Sequence, residues 1–207
     1  LEQYAYITSH NLRAPIAQIK GLISVLPKDE GFTNLTLETL GKIHESAENL
    51  EKVFTDLSQI IKIEKSMQQP WQDVELNTEI KSVLDSLKAS IAEKAISVTT
   101  PVHKNVVIKA LRPYVYSVFH NIIENAVKYS DVNKKDSFVK IEIDETNKYY
   151  HVAVTDNGIG IDMDAASGKV FQMYQRFNNT HPGQGFGLFL VKSQMDAMQG
   201  PVEVESI

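Results

Sequence analysis

The apolar positions of the first third of the chain recur at helical spacing in two separate runs. Between residues 12 and 26, and again between residues 40 and 61, they follow one another in alternating steps of three and four. Such spacing places the apolar side chains on one stripe of a helix. Pro27 and Gly31, which lie between the runs, would end the first helix and turn the chain. Residues 1–66 are therefore predicted to form an antiparallel helical hairpin. Its two apolar stripes predict pairing with a second copy, as a homodimer in which the hairpins form a four-helix bundle.

Beyond a polar linker that ends at Pro70, helical and strand patterns are mixed. Helices are predicted over residues 76–93, 113–129 and 188–198. Asn77 is the expected N-cap of the first of them. Strands are predicted over residues 96–99, 106–110, 137–143, 150–155 and 202–206. The last strand lacks the hairpin partner expected after it. The fold class is thus predicted to be α+β, a helical hairpin followed by a two-layer α/β sandwich over residues 71–207, with one sheet under helices.

Composition and charge narrow the classes of function. The 207 residues carry 26 acidic and 21 basic side chains, a net charge of −5, which offers no bulk attraction to nucleic acid or to an anionic membrane. The chain has no cysteine, so a thiolate nucleophile and a disulfide framework are excluded, and six histidines are left as candidates. No apolar run approaches the roughly 18 residues of a membrane span. A cytoplasmic chain without a direct membrane span or a nucleic-acid partner is expected.

Two glycine clusters could bind a nucleotide. Asp156 follows a predicted strand and precedes Gly158 and Gly160, so its carboxylate could accept a hydrogen bond from an exocyclic amine while the glycines allow close approach of a flat ring. The second cluster opens the helix predicted from residue 188, where unpaired N–H groups attract anions. It consists of Gly183, Gly185 and Gly187. The first cluster alone could be an ordinary turn, because Asp-Asn-Gly is a common turn sequence, and the second matches neither the Walker pattern nor the dinucleotide-binding fingerprint.

A polar stripe on the helix predicted over residues 113–129 is the third element. Asn121, Asn125 and Lys128 lie at positions i, i+4 and i+7, beside an apolar stripe. Two amides and an ammonium group suit a hydrated magnesium ion and its phosphates. A solvated helix face is the plainer alternative, but the occurrence of all three elements in this order favours a nucleotide site.

The order of five motifs resembles the catalytic core of sensor histidine kinases. They are an H box over residues 9–15, an N box over 121–130, a first glycine box over 156–162, an F box over 170–177 and a second glycine box over 183–188. The resemblance covers nearly the whole chain. It implies that residues 1–66 are the dimerisation and histidine phosphotransfer domain, and that residues 71–207 are an ATP-binding catalytic domain of the histidine kinase and DNA gyrase type. It also implies ATP and Mg²⁺ as cofactors.

His10 is the phosphoacceptor that the resemblance implies. Its neutral ring nitrogen would attack the γ-phosphate of ATP, and the phosphoryl group would then pass to an aspartate in the receiver domain of a response regulator. At about 100° per residue, His10 lies roughly 160° from the first apolar stripe, so its imidazole is expected to face outward. Pro15 should bend the helix beside it.

The resemblance also implies roles in the ATP-binding domain. Asn125 would hold magnesium, Asn121 would line the same site and Lys128 would reach phosphate oxygens. Tyr129 would pack beside the adenine, and Asp156 would accept a hydrogen bond from its amine.

The glycines of the two boxes would shape the pocket and allow a lid to close over the phosphates. These are Gly158, Gly160, Gly183, Gly185 and Gly187. Arg176 is a candidate for contact with the γ-phosphate, because a planar cation suits the charge that develops there. An ordinary surface charge is the alternative for this residue.

Two positions depart from the family pattern. Asn11 stands where the family usually has an acid, so slower autophosphorylation is expected, and Ala14 stands where threonine or asparagine is common, which predicts weak phosphatase activity toward a phosphorylated regulator. An upstream sensor domain, normal in such kinases, is absent from this chain.

Two alternative functions stay open: a catalytically weak scaffold that binds ATP and a regulator, and another enzyme of the same ATP fold, such as an anti-sigma-factor kinase or a mitochondrial-type dehydrogenase kinase. An exposed His10 on a dimerising hairpin argues against the latter.

Overall fold

The computed structural model describes residues 15–26, 34–66, 70–100, 106–131, 133–146, 149–177 and 185–206. The chain divides into two compact units, Leu1–Lys65 and Ser66–Ile207. The candidate residues His10, Asn11 and Gly183, together with Ala14, lie outside the described ranges.

The described part of the first unit is helical. Helix α1 covers residues 15–24, and helix α2 is Asn34–Ser66. Apolar side chains of both helices remain exposed, among them Ile23 at 54% and Phe54 at 64%. On α2, the Lys42 ammonium donates to Glu38 at 2.8 Å. This hydrogen bond and the attraction between the two charges lower the pKa of Glu38 and raise the pKa of Lys42.

The second unit combines five strands with four helices in its described residues. In chain order they are β1 Gln72–Glu75, α3 Leu76–Ser86, α4 Lys88–Glu93, β2 Ser97–Thr99, β3 Val107–Ala110, α5 Arg112–Lys128, β4 Phe138–Glu145, β5 Tyr150–Asp156 and α6 Gly187–Ala197. A proline in the first turn of α5 agrees with the predicted start of that helix.

The described strands of the second unit form two sheets instead of the single predicted sheet. β1 and β3 pair antiparallel, with Val74 opposite Ile108. β4 lies in the middle of a three-stranded sheet, parallel to β2 and antiparallel to β5, with Ile141 opposite Val154. β1 was not expected from the sequence, because a four-residue strand with one buried apolar residue shows too little alternation to be recognised.

The predicted helix over residues 76–93 is wrong in its cap and in its continuity. β1 runs directly into α3, so the N-cap is Glu75 and not Asn77. The N–H of Leu76 donates to the carbonyl of Val106 at 2.9 Å, and there is no loop in which an asparagine could cap the helix. The chain then bends at Leu87, which is buried and separates α3 from α4.

The structure also differs from the prediction over residues 202–206, where a strand was expected. Its side chains alternate between exposed and half-buried positions, but the segment belongs to no ladder in the described part of the chain. An extended segment needs a neighbouring strand for its main-chain hydrogen bonds. The N–H of Ile161 donates to the hydroxyl of Ser206, in this segment, at 2.9 Å.

The core of the second unit lies where α3 and α5 cover the strands. α5 packs against α3, α6, β4 and β5, and its buried face includes Val115, Phe119 and Ile123. Each fully buried aliphatic side chain of this kind stabilises the fold by roughly 2 kcal/mol. At the edge of this core, Arg112 Nε donates to the buried carboxylate of Glu79 at 2.7 Å. None of the described helices has both the length and the apolar character needed to cross a bilayer.

Candidate nucleotide site

The turn after β5 is joined to the end of α5 through main-chain groups. The Asp156 Oδ1 atom accepts the N–H of Gly158 at 2.8 Å, and the N–H of Ile159 donates to the carbonyl of Tyr129 at 3.0 Å. A Cβ at Gly158 would lie 2.5 Å from that carbonyl oxygen and 2.8 Å from Asp156 Oδ1. The turn therefore requires glycine at this position. Gly160 follows with φ of 69°, a conformation that favours glycine.

Asn157 and Lys134 join the same turn to residues 134–138 through hydrogen bonds. The Asn157 side chain accepts the N–H of Phe138 and donates to the carbonyl of Asp136, both at 2.9 Å. Lys134 Nζ donates to the main-chain oxygen of Asn157 at 2.7 Å. Sequence reasoning missed both residues. The Asp-Asn-Gly motif contained a signal for Asn157, since asparagine often bonds to nearby backbone, whereas nothing indicated Lys134.

The end of α5 brings Lys128 and Tyr129 together. Lys128 Nζ lies 5.0 Å from the centroid of the Tyr129 ring, within the range of a cation–π interaction. Lys94 Nζ caps the helix by donating to the carbonyls of Val127 at 2.9 Å and Lys128 at 2.8 Å. A cation at this position complements the negative end of the helix dipole. Lys94 is a further residue that the sequence did not reveal.

The two asparagines of α5 face the first residue of α6. A Cβ at Gly187 would lie 2.9 Å from Asn121 Oδ1 and 3.8 Å from Asn125 Nδ2. Asn121 Nδ2 donates to the carbonyl of Ser117 at 2.8 Å, which directs its Oδ1 away from that carbonyl. The N–H groups at the start of α6 therefore lie beside the amides of Asn121 and Asn125, with the Asn121 oxygen and the Asn125 nitrogen nearest to Gly187. The start of a helix attracts an anion and an amide oxygen attracts a cation, so the two could bind side by side.

The segment before α6 contacts the segment over residues 170–177. Gly185 has φ of 70°, and a Cβ there would overlap the main chain of Gln175. The rings of Tyr174 and Phe186 lie 6.3 Å apart. Arg176, in the same segment, is exposed. The described parts of the F box and the second glycine box are thus packed together.

Amide oxygens are the metal-binding groups that this arrangement offers. Within the described ranges, no three His, Cys, Asp or Glu side chains are grouped to hold a metal ion. The side-chain amides of Asn121 and Asn125 lie next to Gly187, and oxygen donors of this kind suit a hard cation such as Mg²⁺.

The chain is similar in sequence to a known ATPase family and to named sensor histidine kinases. A sequence model of the family described as histidine kinase-, DNA gyrase B-, and HSP90-like ATPase matches residues 111–207. AtsR, a sensor histidine kinase of Burkholderia thailandensis, is 29% identical to the chain over 208 residues, which make up 97% of this chain and 34% of AtsR. The resemblance to sensor histidine kinases is confirmed. The match to this ATPase family also implies ATP binding by residues 111–207.

Solved structures of histidine kinases share the fold. Histidine kinase AdeS of Acinetobacter baumannii has a TM-score of 0.59 at 18% identity, over 91% of this chain and 86% of that structure. Histidine kinase ThkA, solved in complex with the response regulator protein TrrA, has a TM-score of 0.58 at 20% identity, over 84% of this chain and 50% of that one. At such identities the similarity supports the fold alone. The mixed α/β fold with a histidine kinase-like ATPase domain is confirmed, whereas the paired hairpin is still a prediction.

The chain corresponds to part of a longer type of protein. It spans between 28% and 46% of the length of the curated histidine kinase and phytochrome relatives that it matches.

Within the histidine kinase-like ATPase domain, seven of the described candidate residues form three groups whose members are in contact. Asn121 and Asn125 meet Gly187, Lys128 meets Tyr129, and Asp156 meets Gly158. The first and second groups both involve α5 or the residue that follows it, and Gly158 of the third group approaches the Tyr129 carbonyl. The individual roles in binding and catalysis that the resemblance implies remain predictions.

Proposed function

We propose that the chain is the catalytic core of a two-component sensor histidine kinase. It would use ATP to phosphorylate His10 and then transfer the phosphoryl group to an aspartate in the receiver domain of a response regulator. The observation that supports this most directly is the contact of Gly187, at the start of α6, with the amides of Asn121 and Asn125, in a domain of an ATPase family. The complex of ThkA with a response regulator protein supports the choice of partner.

In this proposal the nucleotide lies between the turn after β5 and the start of α6. Asp156 is exposed, and its carboxylate is held by the N–H of Gly158, so it is oriented to accept a hydrogen bond from the adenine amine. Tyr129 offers a ring for packing beside the base, and Lys128 offers an ammonium for phosphate oxygens. The N–H groups at the start of α6 would receive the phosphates.

Asn125 is the proposed ligand of magnesium, with Asn121 beside it. Amide oxygens fit a hard cation, and Asn121 Oδ1 lies only 2.9 Å from the position of a Cβ at Gly187, with Asn125 Nδ2 at 3.8 Å. When bound, Mg²⁺ would neutralise charge on the phosphates. Arg176, an exposed planar cation in the F box, is the proposed contact of the γ-phosphate.

His10 performs the chemical step in this scheme. A neutral imidazole nitrogen attacks the γ-phosphorus, the bond between that phosphorus and the bridging oxygen breaks, and ADP leaves with the bond's electron pair. The other ring nitrogen then releases its proton to solvent, which leaves a neutral phosphoimidazole. Asn11 would accept a hydrogen bond from the other ring N–H and orient the imidazole. Transfer to an aspartate of the regulator then regenerates the neutral histidine.

Residues 1–66 are proposed to pair with a second copy. Ile16, Ile23, Leu40 and Phe54 all belong to the predicted apolar stripes, and their side chains are exposed within one chain. Burial of these side chains against a second hairpin would complete a four-helix bundle. Because the proposed reaction needs ATP and a response regulator, we propose that it takes place in the cytoplasm.

The deciding experiment is incubation with γ-labelled ATP and Mg²⁺. We expect label that is labile to acid and stable to alkali, and that is lost in His10→Gln. His44→Gln is the matched control, because His44 is an exposed residue of α2 that lies 3.5 Å from Glu48 and has no role in the proposed reaction, and it should label normally. ATP binding without any label would contradict the kinase and favour the scaffold alternative.

A further inference from the structure

Gln194 is a polar residue on the buried face of α6. It is 5% exposed, and its neighbours on that face, Leu190 and Val191, are buried apolar residues. Its Nε2 donates to the hydroxyl of Ser117 at 3.0 Å, whereas its Oε1 is buried and has no hydrogen-bond partner among the described groups. A buried amide oxygen without a partner destabilises a fold, and an apolar residue of the same length would avoid this loss. A role other than packing would explain why the amide is there.

The hydroxyl that Gln194 contacts lies one helical turn from Asn121. Ser117 and Asn121 are four residues apart on α5 and therefore share one face of the helix. Asn121 Nδ2 donates to the Ser117 carbonyl at 2.8 Å and lies 3.4 Å from the Ser117 hydroxyl. The amides of Gln194 and Asn121 thus converge on the same serine.

α6 contacts this face of α5 at two points. Gly187 and Gln194 are seven residues apart, so they lie on one face of α6. Gly187 meets Asn121 and Asn125, and Gln194 meets Ser117. Since the later residue of α6 meets the earlier residue of α5, the two helices run antiparallel along this contact.

We propose that Gln194 is a positioning residue that acts through Ser117 to hold the Asn121 amide with its Oδ1 directed at Gly187. A serine hydroxyl in a helix can otherwise rotate to the carbonyl of the preceding turn. With Gln194 in place the hydroxyl stays between the two amides, and Asn121 keeps one orientation toward the magnesium-nucleotide site. This inference rests on the proposed function, because it concerns the same site.

The test compares binding with stability in the full chain. Gln194→Met keeps the length of the side chain and removes the amide, and Ser117→Ala removes the shared hydroxyl. We expect each to weaken binding of a non-hydrolysable ATP analogue in the presence of Mg²⁺ by about tenfold, as for other residues that orient metal-site ligands. Binding of the analogue in EDTA should change much less. The melting temperature of Gln194→Met should be equal to or above that of the wild type, because a buried unpaired oxygen is removed.

A double variant and a control complete the experiment. If Gln194 acts through Ser117, combining the two substitutions should weaken binding no further than either alone. Gln72→Met, at an exposed position of β1, is the control for the amino-acid change and should bind normally.

Three results would overturn this role. Unchanged Mg²⁺-dependent binding in Gln194→Met and Ser117→Ala would do so while leaving the proposed function intact. A fall in melting temperature that accompanies equal losses of binding with and without Mg²⁺ would show a structural role only. Failure of the wild type to bind the analogue would instead overturn the proposed function, and the role of Gln194 with it.

Discussion

Tyr129 and Gly158 are in direct contact, although they come from the end of α5 and from the turn after β5. The Tyr129 carbonyl oxygen lies 2.5 Å from the position that a Cβ of Gly158 would take, and it accepts the N–H of the next residue, Ile159, at 3.0 Å. The φ angle of Gly158 is not in the left-handed region. Glycine is therefore required here by the close approach of two main chains and not by the conformation of the turn.

Gly158→Ala should separate these two segments. The added methyl group would press on the Tyr129 carbonyl and on Asp156 Oδ1, so we expect ATP binding to weaken at least about tenfold and the free energy of unfolding to fall by about 1–3 kcal/mol. Calorimetric titration with an ATP analogue and urea unfolding would measure the two effects. Gly41→Ala in α2 is the control. An added Cβ there would have no atom within 4 Å apart from its chain neighbours and the backbone of its own helix, so this variant should bind as the wild type does. Normal binding of the ATP analogue by Gly158→Ala would contradict the close approach of Gly158 to the Tyr129 carbonyl.

Gly185 and Gly168 allow a second comparison, because both have left-handed φ angles, of 70° and 67°. Either substitution to alanine should lose about 1 kcal/mol of stability from backbone strain. Only Gly185 also approaches the main chain of Gln175, whereas nothing lies within 4 Å of a Cβ at Gly168. We therefore expect faster amide hydrogen exchange over residues 170–177 and weaker ATP binding in Gly185→Ala alone. Equal exchange in the two variants would show that the contact with Gln175 has no role in ordering that segment.

The elements that the sequence predicts well are those with long periodic patterns. α5, β4, β5 and α6 begin and end within about two residues of their predicted bounds, because each repeats its apolar positions several times along one element. β1 was missed and α3 was predicted to continue into α4. In both cases the deciding interaction is non-local: β1 is a strand through its pairing with β3, and α3 begins where Leu76 meets Val106.

The same reason limits what the sequence reveals about the site. Asn121, Asn125 and Lys128 were recognised by their spacing along a single helix. Lys94 reaches the carbonyl of Val127 across 33 positions of the chain, and such a contact leaves no periodic signal. Gln194 was hidden for a related reason, since its partner Ser117 is 77 positions away. Motifs identify the groups that would touch a nucleotide, whereas the groups that orient them depend on the tertiary fold.

Ala95 is a position at which substitution by glycine should stabilise the protein. It lies two residues after the end of α4 and has a φ of 50°, a conformation that is unfavourable for residues other than glycine. Its N–H donates to the carbonyl of Ala92, and the N–H of Ile96 donates to the carbonyl of Ile91, both at 3.1 Å, which is the hydrogen-bond pattern that glycine usually completes.

We expect Ala95→Gly to raise the free energy of unfolding by about 1 kcal/mol, because it relieves the left-handed strain. Ala92→Gly is the matched control inside α4, where glycine should lower stability by up to about 1 kcal/mol. Urea unfolding of the two variants should give changes of opposite sign. A loss of stability in Ala95→Gly would contradict this account.

Asn11→Asp should speed the formation of phosphohistidine at His10. An amide can accept the second N–H of the imidazole, but it stabilises the positive charge that develops during attack less than a carboxylate does. We expect the initial rate of labelling at saturating ATP to rise by about tenfold, a small part of what a well-placed general base contributes. Asn49→Asp makes the same change at an exposed position of α2 and should leave the rate unchanged. Labelling by Asn11→Asp at or below the wild-type rate would mean that the charge beside His10 does not limit phosphoryl transfer.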